Sequence, residues 1–319
     1  MGETSTRTAE GDGAAAGGES TVTVVVAALA NLGIAAAKAV AGAVSGSSAM
    51  LSEAAHSVAD TVTELMLLVS LKSAERPADE DHPLGYGGAR YVWALLASVA
   101  TFVGGGVFAV YDGVHTLTHG HEPGDPLLSY VVLGIAFLLE GYSLRTGLKQ
   151  ARRAAARFDV RVGRYLRHTP DTAVKAVVME DSAALAGLVL AAGGLLGGQL
   201  TGSGVWDGVA SLTIGVLLVY VAWVLGRANA DLLIGRPLPR PVRERVRAEL
   251  LADPHVVDVL ELTTLLQGPD EALVAAKVNF RDVSTAAEVE QACDRIARRV
   301  RERFPAVRRV YLDPTPGPR

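Results

Sequence analysis

Glu53, His56, Asp60 and Glu64 stand in the run Ser48 to Leu71, SAMLSEAAHSVADTVTELMLLVSL, which is otherwise mainly Ala, Val, Leu, Met and small hydroxyl residues. On a helix each residue turns about 100°, so offsets of three, seven and eleven from Glu53 return all four side chains to one stripe. An imidazole and a carboxylate four residues apart, as His56 and Asp60 are, can hold one divalent cation on a single helical face, a geometry that zinc and similar metals accept. In a bilayer each such group costs roughly 2.5–3.5 kcal/mol on insertion scales, so four of them must share a polar site. In a soluble amphipathic helix the same four would be a solvated face. The class of the chain decides between these readings.

Composition favours a polytopic membrane protein. Of 319 residues 50% are hydrophobic and only 20% charged, with 34 glycines, and the mean hydropathy is +0.28. The single cysteine, Cys293, excludes a disulfide framework and any multi-cysteine zinc motif, so a metal site must use His and carboxylate. The net charge of -4, with basic residues gathered by loop, gives no nucleic-acid footprint. No nucleophile motif, phosphate loop or HExxH motif points to an enzyme.

The elements that must position the stripe follow in chain order. Residues 1–20 are rich in Gly, Ala, Ser and Glu without an apolar period and read as a disordered tail. Apolar runs of about 20 residues, enough to cross a hydrocarbon core of ~30 Å, begin near Val22, Ser48, Tyr91, Leu127, Ala176 and Val205. The first carries Asn31 and Lys38, with Asn31 either lining a polar interior or bonding between helices. The fourth carries Glu140, the fifth opens with Glu180 and Asp181, and the sixth contains Asp207. Lys and Arg collect after runs two, four and six and are missing after one, three and five, which puts both termini in the cytoplasm by the positive-inside tendency. The expected architecture is therefore six transmembrane helices over 21–226, with a cytoplasmic domain over 227–319. Within the latter, ANADLLIGRPLP reads as a connector and Pro239–Asp253 as a helix. Val256–Leu266 and Ala272–Phe280 read as strands around the turn Gly268-Pro269-Asp270. Ala286–Phe304 reads as a basic amphipathic helix and Val307–Leu312 as a last strand, giving α+β in the order αββαβ.

With that order in place, the chain resembles the cation diffusion facilitator family. The stretch SGSSAMLSEAAHSVADT, Ser45 to Thr61, looks like the family's second-helix signature ending in HxxxD. HPLGYGGARYVWALLA and DGVASLTIG, beginning at Asp207, add agreement. The resemblance implies a homodimer in the lipid bilayer that exchanges a divalent cation, commonly Zn2+, for protons. It also implies ligands from helices two and five: His56 and Asp60 match the first pair, but Ala184 and Leu188 stand where the second pair belongs. That departure, EDSAALAG, looks like the zinc transporter 9 subgroup.

Glu180 and Asp181, four and three residues before Ala184, are near substitutes on the same side of the helix. The expected cation site is then His56, Asp60 and Glu180 or Asp181, with Glu53 as fourth ligand or proton carrier. Glu180 and Asp181 would otherwise be acids suited to a helix N-terminus. The larger share of carboxylate leaves Mn2+, Fe2+ and Co2+ open beside Zn2+. Beyond the transported cation no cofactor is expected. The Ala- and Arg-rich chain suggests a bacterial inner membrane. The alternative function is a transport-defective membrane sensor or scaffold acting through its C-terminal domain. His115, His119, His121, Glu122 and Asp125 near one loop, and His255 with Asp253 or Asp258, are further places where metal could be held.

Overall fold

The computed structural model describes residues 15–120, 125–157, 160–268 and 271–317. Its helices are α1 (Ala15–Ser45), α2 (Ser48–Ala74), α3 (Ala89–Ala100), α4 (Phe108–His119), α5 (Leu127–Arg157), α6 (Val162–His168), α7 (Thr172–Thr201), α8 (Val205–Gly235), α9 (Arg240–Leu251) and α10 (Ala286–Arg303). The strands are β1 (Val256–Gly268), β2 (Glu271–Phe280) and β3 (Val307–Pro314). Five helical segments are long and apolar enough to cross a bilayer: Ser48–Ala74, Ala89–His119, Leu127–Ala156, Thr172–Thr201 and the one that opens at Val205. Of α1, the stretch Asn31–Ser45 is apolar but shorter than a span. The chain is thus a multi-pass helical membrane protein carrying a small C-terminal sheet.

Several expected boundaries shift. Helix α1 already begins at Ala15, inside the stretch read as tail, while residues 1–14 lie outside the described residues. The basic segment after the fourth run is largely helical: Arg145, Lys149, Arg152 and Arg153 ride on α5, and Arg164 and Arg167 on α6. The connector at Ala228 is also helical, because α8 runs on to Gly235, where φ is +125°. Nothing in ANADLLIG breaks a helix until that glycine and Pro237 behind it. Between α3 and α4 the third span changes to a π-helix over Thr101–Val107, the segment TFVGGGV.

The chain forms two compact units. The second comprises Ser73–Val92, His168–Thr172 and the residues from Arg227 on, so two inter-helix segments belong with the C-terminal sheet. The sheet order is β1-β2-β3, with β1 and β2 antiparallel and β2 and β3 parallel. Gly268 pairs with Glu271 across the hairpin, whose Pro269 and Asp270 lie outside the described residues. Ala272, Val274, Ala276, Val278 and Phe280 bury one face of β2, the period-two pattern of a half-covered strand. Ala292, Ile296 and Val300, spaced four apart on α10, pack into the same core with Val246 and Leu250 of α9.

Tyr91 also enters that core, and Gly87 lies so close to the hairpin that a Cβ there would come 2.8 Å from the carbonyl oxygen of Gln267. The glycines of HPLGYGGAR therefore permit this inter-helix segment to close on the sheet. Cys293 packs partly buried against the same core, and burial pushes its thiol up from the ordinary value.

A capping box opens α10. The Thr285 N–H and hydroxyl donate to Glu288 Oε2 at 2.7 and 2.9 Å, and the Glu288 N–H donates back to Thr285 Oγ1 at 3.4 Å. These donors hold the Glu288 carboxyl below its ordinary 4.5. A depressed folded value means that the contribution is full above pH 4.5 and is lost as pH falls through the folded value. We expect Thr285→Ala to weaken the α10 N-terminus by about 1 kcal/mol at pH 7, read as roughly fivefold faster amide exchange in the first turn of the intact protein. The difference from wild type should shrink as the pH drops below 4.5.

In the membrane unit, α8 presses on α4 and the π segment through two glycine pairs spaced seven apart. A Cβ on Gly113 would come 2.6 Å from Leu212 N, and one on Gly215 would come 2.6 Å from Val110 N. A Cβ on Gly106 would come 2.8 Å from Val219 Cγ2, and one on Gly208 would come 2.9 Å from Leu117 Cγ. Such close backbone approach is how membrane helices associate where apolar burial gives no preference for a neighbouring helix over lipid. Ser211 on α8 donates to the Ala109 carbonyl at 3.0 Å and lies 2.6 Å from Ser52 Oγ, tying α2 to the same seam.

Asp207, the acid of the sixth apolar run, has a structural role here. Its carboxylate accepts from Ser47 Oγ at 2.6 Å, from the Ser48 N–H, and from the Ala49 N–H at 3.3 Å, which caps the N-terminus of α2 from a neighbouring helix. Gly46, at φ +66°, makes the turn that brings these amides round. We expect Asp207→Ala to destabilise the protein by about 2–3 kcal/mol, seen as a lower midpoint in detergent thermal-aggregation assays, and Asp207→Asn by less, since one acceptor survives.

Candidate metal centre

The α2 stripe is buried at one end and half-buried at the other. Glu53 and His56 are 0% and 1% exposed, while Asp60 and Glu64 are intermediate. His56 Nδ1 lies 3.4 Å from Asp60 Oδ1, close enough to pair but without hydrogen-bond geometry. Glu64 Oε1 accepts from Asn31 Nδ2 of α1 at 2.8 Å, which resolves Asn31 as an interhelical bond to the stripe itself.

Helix α7 supplies Glu180 and Asp181 from well inside the helix. Glu180 is eight residues past Thr172, just over two turns, beyond the first turn in which a helix N-terminus favours acids. The helix-end reading of this pair therefore loses its basis. Glu180 is buried, and Oε1 accepts from Thr101 Oγ1 at 3.4 Å; Thr101 Oγ1 lies 3.2 Å from Thr63 Oγ1 of α2. A hydroxyl bridge through the π segment thus links α2 to α7. Ser143 of α5 lies beside Asp181. Ala184 and Leu188 are 1% and 2% exposed, and Leu188 belongs to the apolar core with Ile214 and Leu218.

The acids act on one another. Asp60 interacts electrostatically with Glu64, Glu140, Glu180 and Asp181, and Glu140 also feels His56 and Glu53. Glu140 on α5 is therefore a member of the cluster that the expected ligand set left out, although its carboxylate in an apolar run was visible. Glu53 departs in the other direction. Its Oε2 is 3.0 Å from the ammonium of Lys38 on α1, and the same ammonium donates to Ser57 Oγ at 2.8 Å.

Among the described residues, no three His, Cys, Asp or Glu side chains converge closely enough to hold a metal ion as they stand. Several buried polar atoms nevertheless have no hydrogen-bond partner there: both ring nitrogens of His56, and one carboxylate oxygen each of Glu53, Asp60, Glu64 and Asp181. Buried polar atoms are ordinarily satisfied, so a concentration of unpaired nitrogen and oxygen lone pairs on α2 and α7 suits a cation.

The other candidate places are occupied by ordinary contacts. Asp253 caps the His255 N–H at 3.1 Å and pairs with Arg295 at 3.3 Å, while Asp258 pairs with Arg247 at 3.3 Å. Asp125 accepts from the Leu127 N–H at 3.0 Å at the start of α5. His115 and His119, both exposed, stack at 4.4 Å on α4, and His121 and Glu122 lie outside the described residues.

Residues 24–234 match the cation efflux transmembrane domain, which covers α2 to α8 and most of α1. The chain belongs to the cation efflux family, the cation diffusion facilitators. Metal tolerance protein C4 of Arabidopsis thaliana is 33% identical over 236 residues, 74% of this chain and 52% of that protein. The mitochondrial proton-coupled zinc antiporter SLC30A9 of Xenopus laevis is 31% identical over 235 residues, 74% of this chain and 42% of that protein. The cation-efflux pump FieF of Shewanella oneidensis is 29% identical over 226 residues, 70% of each chain. The chain thus spans about half the length of the first two relatives. Within a cation efflux protein, the cluster on α2, α5 and α7 is the natural candidate for the transport site. Lys38, Thr101 and Ser143 are its supporting residues that sequence reasoning did not assign; only Lys38, a lone charge in an apolar run, gave a signal.

Proposed function

We infer that this cation efflux protein is a proton-coupled exporter of a divalent cation, Zn2+ first and Mn2+, Fe2+ or Co2+ as further candidates. The observation that carries the reading is the pair of buried His56 and half-buried Asp60 with unpaired donor atoms, within electrostatic reach of Glu64, Glu140, Glu180 and Asp181. His56, Asp60 and one or both α7 acids are the proposed ligands, at a site displaced from Ala184 and Leu188.

Coupling follows from charge. Several carboxylates and one imidazole in a membrane interior must be neutralised, either by a divalent cation or by protons, since empty and ionised they are costly to bury. Metal binds the deprotonated ring, so cation and proton compete for the same groups. An inward proton gradient then drives cation outward.

We further assign both termini to the cytoplasm of a bacterial inner membrane, six spans including α1, and a homodimer. The grouping of Ser73–Val92 and His168–Thr172 with the C-terminal sheet supports one common side for the basic segments. The burial of Ala184 and Leu188 in apolar core favours a second reading, a sensor or scaffold that moves no cation.

Proteoliposomes loaded with a pH-sensitive dye decide between the two. On adding Zn2+ outside, an exporter-type exchanger changes the internal pH in step with zinc entry, and the profile over the four metals names the substrate. A sensor or scaffold gives binding without flux of any of them.

A further inference from the structure

Lys38 of α1 is fully buried in the membrane unit. Its side chain and that of Glu53 are both 0% exposed, joined at 3.0 Å, and Ser57 Oγ accepts from the same ammonium at 2.8 Å. Removing one partner of such a pair would leave an uncompensated buried charge. The carboxylate is held from two sides. Glu53 Oε2 takes the ammonium, and Oε1 rests against Gly187 of α7, where any Cβ would collide with it. Ser57 neighbours His56 in the chain, and Lys38 acts electrostatically on His56, Asp60 and Glu140.

We propose that Lys38 is the tethered counter-ion of the cation site: it holds Glu53 in an ion pair, out of the ligand set, and so fixes the charge that an arriving divalent cation meets. The inference rests on the proposed reading of the cluster as a cation site. Lys38 is thus a positioning residue. Its consequence for transport is release, because a carrier must bind its ion firmly enough to load and weakly enough to let go. With Glu53 neutralised internally, one carboxylate fewer pulls on the ion.

The test is a charge-swap cycle with Zn2+ as the probe, titrated by calorimetry at pH 8 into the intact protein in detergent. The heat of His56→Ala is subtracted for zinc held by surface histidines. Lys38→Met should tighten binding by about tenfold or more, the scale on which one unit charge acts on a divalent ion across a polar interior. Glu53→Gln should weaken it by a similar factor, because the ammonium then faces the cation unneutralised. Lys38→Met/Glu53→Gln, which buries no net charge and so folds even where a single variant does not, should return to within about threefold of the wild type.

A double variant as weak as Glu53→Gln would make Glu53 a ligand and overturn the proposal. So would Lys38→Met binding no tighter than the wild type, including the case in which neither binds. Zinc flux in the same preparations separates the two levels: absent flux with the affinity pattern intact counts against the exporter reading and leaves the counter-ion assignment standing.

Discussion

His56→Ala and Asp60→Ala should each reduce cation flux in proteoliposomes at least about a hundredfold while the protein stays monodisperse. The two side chains face each other at 3.4 Å on one face of α2, and each retains a buried atom without a hydrogen-bond partner among the described residues. Neither variant strands a hydrogen-bond partner, so their loss should cost little stability. Their loss to a cation is larger: one ligand bond to a charged ion exchanged for water or an apolar wall exceeds the ~2.7 kcal/mol that a hundredfold represents. Asp60→Asn should retain the fold and lose flux, since an amide oxygen does not neutralise the ion. Flux within threefold of wild type in either alanine variant would remove the α2 pair from the transport path.

The second large effect is on packing. Gly215→Ala should destabilise the protein by at least about 3 kcal/mol, the upper end of overpacking costs, because the added methyl meets backbone at 2.6 Å and backbone cannot rotate aside. Gly134→Ala on α5, where no atom lies within 4 Å of the new methyl, should be neutral or stabilising by up to about 1 kcal/mol through helix propensity. Thermal unfolding followed by tryptophan fluorescence compares the two directly. The seam should also bear on flux. A Cβ on Gly105 would come 3.1 Å from Leu218 Cδ1 and 3.8 Å from the His56 Cα, so pushing α8 off α4 moves the π segment that backs the histidine. Gly215→Ala should therefore also lower flux beyond what its loss of folded protein explains.

The stripe on α2 was legible because a 3.6-residue period in one helix needs no tertiary knowledge, and the C-terminal strands because alternation is equally local. What escaped was decided between helices. That Glu53 meets Lys38, that Asp207 caps α2, and that Gly87 closes on the hairpin all depend on which segments lie side by side. The ends of α5 and α8 escaped for another reason: Lys, Arg, Ala and Leu continue a helix as readily outside an apolar run as within it. Hydropathy marks where a span ends, and only a breaker such as Gly235 marks where the helix ends. The π segment falls at Gly104, Gly105 and Gly106, but a glycine run does not specify the five-residue hydrogen-bond pattern.

In the proposed transport site, Glu180 and Asp181 of α7 act in place of the positions held by Ala184 and Leu188. Radioactive zinc uptake into proteoliposomes under an imposed pH gradient, comparing wild type with Glu180→Ala/Asp181→Ala, tests it most directly. The account requires uptake by the pair variant to fall to the level of His56→Ala; uptake at the wild-type rate would contradict it and turn attention to Glu140 and Glu64 as the acids that complete the site.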